Sequence, residues 1–204
     1  MLVFLDFEAS SLAPDSYPIE VGWVFEDGRC EDHLIRPHAA WRDWAPDAQD
    51  LHQISRERLA REGCPASDVA RRVLAALGGH AVRSGSAVWD GKWLRCLLGA
   101  AGLPLHGVQI ADAGAASAQA ARAILRTLLP EQDLIEAVGG LITLARMRSR
   151  GAAQKHRALA DACEERRIYL AVQQAAQAMA EAIRARRAGA PVRLAQPRRT
   201  EPAC

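Results

Sequence analysis

The first part of the chain alternates between short apolar runs and turn residues, a pattern typical of β-strands. Residues 2–7 and 19–25 are rich in large apolar and β-branched side chains, and residues 30–36 alternate polar and apolar positions, which predicts three strands. Asp27 and Gly28 lie between the second and third run, where this pair favours a tight hairpin turn. Short connections suit antiparallel neighbours, so we expect an antiparallel meander.

After the third run the apolar positions recur at the spacing of helices. Between residues 68 and 78, one helical face carries Val69, Val73, Leu74 and Leu77, and Gly78 follows as a stop signal. Similar patterns predict one or two short helices within 47–60, helices over 91–100, 117–129, 131–147 and 158–187, and strands over 81–88 and 108–112. Strands followed by a mixture of helices and strands indicate an α/β domain with a mixed sheet flanked by helices.

The chain of 204 residues is long enough for one sizeable domain, which we expect to span residues 1–187. Residues 188–204 combine three prolines with scattered arginines and few core-forming side chains, which predicts a disordered tail. The predicted helix over 158–187 carries an apolar stripe that suits packing on its own domain or on a second subunit. The sequence leaves both alternatives open.

Composition narrows the class of protein. Half of the residues are hydrophobic and a quarter are charged, as in soluble globular proteins, and the net charge of +2 provides no overwhelming basic field. The sequence contains no CxxC pair, so nothing in the cysteine spacing suggests a structural zinc site. Asp6 and Glu8 interrupt the apolar N-terminal run, so it does not resemble a signal peptide, and later apolar runs are too short to span a membrane. We expect a cytoplasmic protein.

The two carboxylates Asp6 and Glu8 stand at the end of the first predicted strand. Residues two apart on a strand point to the same face, so both carboxylates project together. Like charges held that close repel, and a divalent cation is the natural compensation. Hard carboxylate oxygens favour Mg²⁺ or Mn²⁺ over Zn²⁺. The alternative is a solvated sheet edge, which is the commoner case for an isolated Asp-x-Glu triplet.

Three later residues suit the same chemistry. Asp90 follows a predicted strand and precedes a predicted helix, where it can line a crevice or cap the helix. His156 and Asp161 would lie roughly 140° apart on one helix, so they converge only if His156 lies on a loop before the helix. Histidine can take a proton near neutral pH, although a surface or capping role is the alternative.

In this order the five residues resemble the DEDDh group of the DnaQ-like, ribonuclease-H-related 3′→5′ exonucleases. DFEASSL resembles the first motif of that family, WDGKWL the second and HRALADA the third. PIEVGWV, with Glu20, resembles its second strand, and LHQIS, with His52, a segment before the second motif. The resemblance covers roughly residues 1–170. It departs from the family in the loop Ala9–Ser11, at Gln53 and at the pair Gly85–Ser86.

The resemblance implies a ribonuclease-H-like fold and hydrolysis of the 3′-terminal phosphodiester of single-stranded DNA or RNA, with release of nucleoside 5′-monophosphates. It implies two divalent ions, Mg²⁺ or Mn²⁺, bound by Asp6, Glu8, Asp90 and Asp161, and His156 as the general base for the attacking water. It also implies substrate contacts from Ser10, Ser11, Leu12 and His52, with Leu12 as an apolar wedge against the terminal bases.

Other functions stay open at this stage. Within the exonucleases, a proofreading or repair enzyme competes with an RNA-trimming, oligoribonuclease-like enzyme. A catalytically silent nucleic-acid-binding or regulatory module, or a phosphohydrolase of small nucleotides, would use the same fold. Protein partners are not readable, and Trp41 and Trp44 suit either base stacking or simple packing.

Overall fold

The computed structural model of the chain describes residues 1–149 and 156–189, so the predicted tail lies almost entirely outside the described residues. Its sheet has six strands in the order β4-β3-β2-β1-β5-β6. The strands are β1 (Leu2–Ala9), β2 (Pro18–Phe25), β3 (Cys30–Arg36), β4 (Cys64–Pro65), β5 (Ala81–Ser84) and β6 (Ile110–Asp112).

The pairing of the strands confirms the predicted mixed sheet. β1, β2 and β3 form an antiparallel meander, whereas β5 runs parallel to β1, β6 parallel to β5, and β4 parallel to β3. The helices are α1 (Pro46–His52), α2 (Arg56–Glu62), α3 (Ala66–Leu77), α4 (Ala87–Ala100), α5 (Ala113–Leu125), α6 (Glu131–Ser149) and α7 (Ala158–Arg187).

The predicted strand over 81–88 is wrong beyond Ser84, where the chain turns into α4. The Ser84 hydroxyl accepts a hydrogen bond from the backbone N–H of Ser86, which closes the turn. Ser86 then precedes the helix, and its carbonyl accepts the N–H of Asp90 at 3.0 Å. The apolar run of Ala87 to Trp89 therefore belongs to the first turn of a helix, a choice that a short apolar run does not fix by its periodicity.

The chain divides into two compact units. The first contains Met1–Asp112 and the described residues 156–165, with the whole sheet. Its main core lies on one face of the sheet, where alternate residues of β1 pack with the apolar stripe of α3 and with α4. The core residues of these elements include Val3, Leu5, Phe7, Val69, Val73, Leu77, Leu94 and Leu97. The intervening residues of β1, Asp6 and Glu8 among them, therefore point to the opposite face.

The second unit contains the described residues 113–149 and 166–189, with α5, α6 and the later part of α7. Its core joins the apolar faces of these helices around Leu125, Leu134, Val138, Ile168 and Val172. The predicted apolar stripe of the last helix therefore packs within its own chain. None of the helices in the described ranges is long and apolar enough to cross a bilayer. That residues 1–187 act as one exonuclease domain stays a prediction.

Candidate active site

The site begins with Asp6 and Glu8 on β1, both facing away from the main core. In the pairing with β2, Asp6 lies opposite Gly22 and Glu8 lies opposite Glu20. On this face the two strands therefore form an acidic patch with a gap at Gly22, because glycine has no side chain.

Helix α7 begins over that gap. A Cβ atom built on Gly22 would lie 2.3 Å from the backbone nitrogen of Leu159 and 2.5 Å from its Cα, far inside van der Waals contact. The absence of a side chain at Gly22 thus lets the first turn of α7 lie directly against β2. Asp161 is in that first turn, so the close approach brings it to the acidic patch.

Three carboxylates meet there. One oxygen atom from each of Asp6, Glu8 and Asp161 can be chosen so that all three lie within 4.8 Å of one another. Oxygen donors from several carboxylates, with no thiolate among them, form the kind of set that hard divalent cations such as Mg²⁺ and Mn²⁺ prefer. The structure thus brings together three of the carboxylates that the resemblance assigns to a metal site.

Asp90 is the fourth carboxylate, and it is fully buried in the first turn of α4. Its Oδ2 accepts a short hydrogen bond from the Ser84 hydroxyl. Its Oδ1 is buried and has no hydrogen-bond partner among the described residues. A buried carboxylate oxygen without a partner is costly, and a cation is the kind of ligand that satisfies it. The residues present therefore fit a divalent metal.

The pKa values of these carboxyl groups are raised, because burial and the neighbouring carboxylates disfavour the ionised form of each. Burial, followed by the charges of Asp90 and Glu8, holds the pKa of Asp6 well above its usual range. Burial and then the charge of Asp161 raise the pKa of Glu8 to about 8, while Arg157 lowers it. Protons therefore stay on the cluster near neutral pH unless a cation takes their place.

The pKa values of the other two carboxyl groups, Asp90 and Asp161, are raised as well. Burial raises the pKa of Asp90 to about 7, against the lowering effect of its hydrogen bond from Ser84. Burial also raises the pKa of Asp161, against the lowering effect of the charge on His156.

His156 lies directly before α7, on the irregular segment that precedes Ala158, and it is half-buried. The condition for the convergence of His156 and Asp161, a histidine on a loop before the helix and an aspartate on its first turn, is met. A histidine in that place can exchange protons with a water molecule beside the cluster, because its ring is neither sealed in the core nor part of the helix.

The loop after β1 is held by hydrogen bonds from its two serines to Asp43. The hydroxyls of Ser10 and Ser11 both donate to Oδ2 of Asp43, at 2.7 and 2.6 Å, and both serines are buried. Leu12, the next residue, is 68% exposed. The two serines, predicted to contact substrate, thus donate their hydroxyl protons to Asp43, whereas the side chain of Leu12 faces solvent.

His52, the last residue of α1, is buried. Its Nδ1 accepts a hydrogen bond from the backbone N–H of Ile54 at 3.1 Å, so in the neutral ring the proton is on Nε2. Burial lowers the pKa of His52, which favours that neutral form. Nε2 is buried as well, so the ring is held inside the fold.

The tryptophans separate into two groups. Trp89 is 37% exposed and stacks on buried Trp93, and its ring centroid lies 5.2 Å from the Lys92 ammonium. Trp41 stacks on Tyr17, and Trp44 donates its indole N–H to Gln49. Both of these pack against the small core cluster around Tyr17, which favours the packing alternative for them.

No family model and no curated protein sequence matches this chain. Its fold is similar to that of exonuclease I from E. coli. The zinc-bound complex of that protein with single-stranded DNA superposes with a TM-score of 0.62 at 16% identity, over 85% of this chain and 40% of that chain. Its complex with a dA16 oligonucleotide gives 0.60 at 16% identity, over 86% of this chain and 42% of that chain.

This likeness extends to the mixed sheet and the helices that flank it, and at this identity it concerns the fold alone. The chain spans about two fifths of the length of the exonuclease I chains that it matches. The fold class expected from the sequence, an α/β domain with a meander and parallel strands, is confirmed.

Proposed function

We propose that the chain is a metal-dependent 3′→5′ exonuclease of the DEDDh type that hydrolyses the 3′-terminal phosphodiester of single-stranded DNA or RNA and releases nucleoside 5′-monophosphates. The observation that carries this proposal is the meeting of Asp6, Glu8 and Asp161 beside the buried, incompletely bonded Asp90. The fold likeness to exonuclease I supports it, because solved structures of that protein contain single-stranded oligonucleotides.

The four carboxylates are the residues that would hold two Mg²⁺ or Mn²⁺ ions. Among them, Asp6, Glu8 and Asp161 each offer one oxygen atom within 4.8 Å of the others. Bound divalent ions supply electrophilic stabilisation of the phosphate and make water acidic enough to act as the nucleophile. The acids contribute fixed negative charge in a partly dry site, which orients the cations without rearrangement during the reaction.

The protein's own groups handle the proton and the nucleic acid. His156 takes the proton of the attacking water, for which its place on the segment directly before α7 is suited. Leu12 meets the terminal bases through an apolar contact that requires no base identity. His52 supports the substrate side of the site from the end of α1, and the bonds of Ser10 and Ser11 to Asp43 hold the loop after β1 in shape.

The substrate class is tested by one panel of labelled oligonucleotides. Single- and double-stranded DNA and RNA are incubated with the purified protein and Mg²⁺ or Mn²⁺, and products are separated at nucleotide resolution. Asp6→Asn abolishes digestion, whereas Asp68→Asn, an exposed aspartate on α3, leaves it unchanged. Wild-type digestion by the Asp6→Asn variant would overturn the site assignment.

The same panel separates the competing functions. Preference for short RNA supports an oligoribonuclease-like enzyme, and preference for DNA supports a repair or proofreading enzyme. Binding of oligonucleotides without cleavage under every metal condition indicates a silent nucleic-acid-binding module. Cleavage of mononucleotides but not of oligomers indicates a small-nucleotide phosphohydrolase.

A further inference from the structure

A buried ion pair joins β2 to the start of α7. Glu20 is 1% exposed, and its carboxylate accepts hydrogen bonds from the Arg157 guanidinium. Nε of Arg157 lies 3.0 Å from both carboxylate oxygens, and Nη2 also donates to Oε1. The two residues are 137 positions apart in the chain, so the pair is a tertiary connection and not a local one.

The same carboxylate also closes the end of the helix. Oε2 of Glu20 accepts the backbone N–H of Ala158, the first helical residue, at 3.0 Å. The first N–H groups of a helix have no partner inside it, and a carboxylate in this place satisfies one of them and favours the positive end of the helix dipole. Glu20 thus acts as a capping group supplied by a neighbouring strand.

Arg157 connects this cap to the acidic cluster. Its backbone carbonyl accepts the N–H of Asp161 at 3.0 Å, which is the first hydrogen bond of α7. His156 is its neighbour on the other side. Glu20, in turn, lies opposite Glu8 in the sheet. The Glu20–Arg157 pair therefore fixes the backbone between His156, the proposed base, and Asp161, a proposed metal ligand. It does so at the strand position opposite Glu8, another proposed ligand.

We propose that Glu20 and Arg157 are positioning residues that hold the first turn of α7, and with it Asp161 and His156, in register with Asp6 and Glu8. Neither residue touches the reacting atoms. The proposal rests on the proposed function only for its activity measurement, since the register of the helix is a property of the metal-free protein.

The chain offers a matched control. Arg72 on α3 forms a two-point ion pair with Glu31 on β3, at 2.7 and 2.6 Å, which also ties a helix to a strand of the sheet. That pair is more exposed and forms no bond to the acidic cluster. Arg72→Met therefore removes the same kind of interaction from a place that the proposal does not assign to the site.

The test compares Arg157→Met, Arg157→Lys and Arg72→Met with the wild type. Amide hydrogen exchange of residues 158–162 is measured in EDTA, Mn²⁺ affinity by calorimetry, and kcat and KM on a single-stranded oligonucleotide. Arg157→Met speeds exchange in that segment and weakens Mn²⁺ binding, each by about tenfold or more, and lowers kcat to a similar extent with little change in KM.

Arg157→Lys keeps the charge but loses the planar fork, so each effect lies between the wild type and Arg157→Met. If the methionine variant does not fold, because Glu20 is left charged and buried, the lysine variant decides. Wild-type exchange and Mn²⁺ affinity in every folded variant at position 157, or equal changes in Arg72→Met, overturn the proposal. A wild type without nuclease activity rejects the proposed function but leaves the exchange measurement to decide this one.

Discussion

Asp6 lies directly opposite Gly22 in the antiparallel pair of β1 and β2, and Gly22 is the point where the backbone of Leu159 rests on the sheet. Asp6, a proposed metal ligand, is thus paired across the two strands with the glycine that lets α7 approach the sheet. Helix α7 carries Asp161, another proposed ligand. The spacing of the acidic cluster depends on this contact, because the helix cannot approach a larger residue as closely.

Gly22→Ala is therefore expected to disturb both folding and metal binding. The added methyl group meets backbone atoms, which cannot rotate away, so the first turn of α7 must shift. We expect a loss of about 1–3 kcal/mol in the free energy of unfolding and a marked loss of Mn²⁺ affinity, measured by denaturant unfolding and calorimetry.

Gly139→Ala is the matched control, since a Cβ atom at this position of α6 meets nothing within 4 Å. Alanine suits a helix better than glycine, so this variant should gain about 0.5–1 kcal/mol. Equal behaviour of the two variants would contradict the close-approach argument.

The stability of the metal-free protein should fall as the pH rises. The ordinary pKa values of Glu8 and Asp90 are 4.5 and 3.8, and the folded protein raises them to about 8 and about 7. Between these limits the folded chain holds protons that the unfolded chain has released, so the free energy of unfolding decreases with pH.

A divalent ion reverses this trend, because it binds best once the carboxylates have lost their protons. The thermal midpoint is measured from pH 5 to pH 8.5 in EDTA and in Mn²⁺. We expect the increase caused by Mn²⁺ to be largest at the alkaline end. An increase that is independent of pH would show that Mn²⁺ does not compete with protons at these carboxylates.

Asp90→Asn should stabilise the metal-free protein while it removes metal-dependent activity. The charge of Asp90 raises the pKa of Asp6, so its removal relieves repulsion inside the cluster. Asparagine keeps the shape and an acceptor oxygen for the Ser84 hydroxyl. We expect a gain on the order of 1 kcal/mol near pH 8, roughly the value of one pKa unit. A loss of stability in EDTA would indicate that Asp90 is held by contacts that need its charge.

Asp43→Ala and Leu12→Ala should separate the support of the loop from its contact with substrate. Loss of Asp43 leaves the hydroxyls of Ser10 and Ser11 without their acceptor, which costs about 1–3 kcal/mol and loosens the loop.

Leu12 is exposed, so its truncation leaves the free energy of unfolding unchanged but raises KM severalfold. Unfolding curves and oligonucleotide kinetics test both, and an unchanged KM in Leu12→Ala would remove this residue from the substrate contact.

The local patterns of the sequence predict much of the fold. The strand over 30–36 and the helix over 158–187 occur with the expected bounds, since alternation and helical spacing are clear in both. The common face of Asp6 and Glu8 follows from strand geometry alone. The strand over 81–88 failed because its apolar run fits a strand or a helix equally well, and the turn at Ser84 depends on a side-chain hydrogen bond.

The supporting contacts of the site are much harder to predict. The pair of Glu20 and Arg157 and the bonds of Ser10 and Ser11 to Asp43 join residues far apart in the chain. Which residues pair in these contacts depends on how α7 and the loop after β1 pack in the folded chain. The periodicity of apolar positions along the sequence does not indicate this packing. The glycine in PIEVGWV was the available signal, because glycine inside a strand often marks a close backbone approach.

The most direct test of the central claim is the order in which labels leave one single-stranded oligonucleotide. The oligonucleotide carries a label at either its 3′ or its 5′ end and is digested in Mn²⁺ by the wild type and by Asp161→Asn. We predict that the 3′ label is released first, as a nucleoside 5′-monophosphate, while the 5′-labelled strand shortens one nucleotide at a time, and that Asp161→Asn and EDTA both stop the reaction. Release from the 5′ end, internal cleavage, or undiminished digestion by Asp161→Asn would contradict the account.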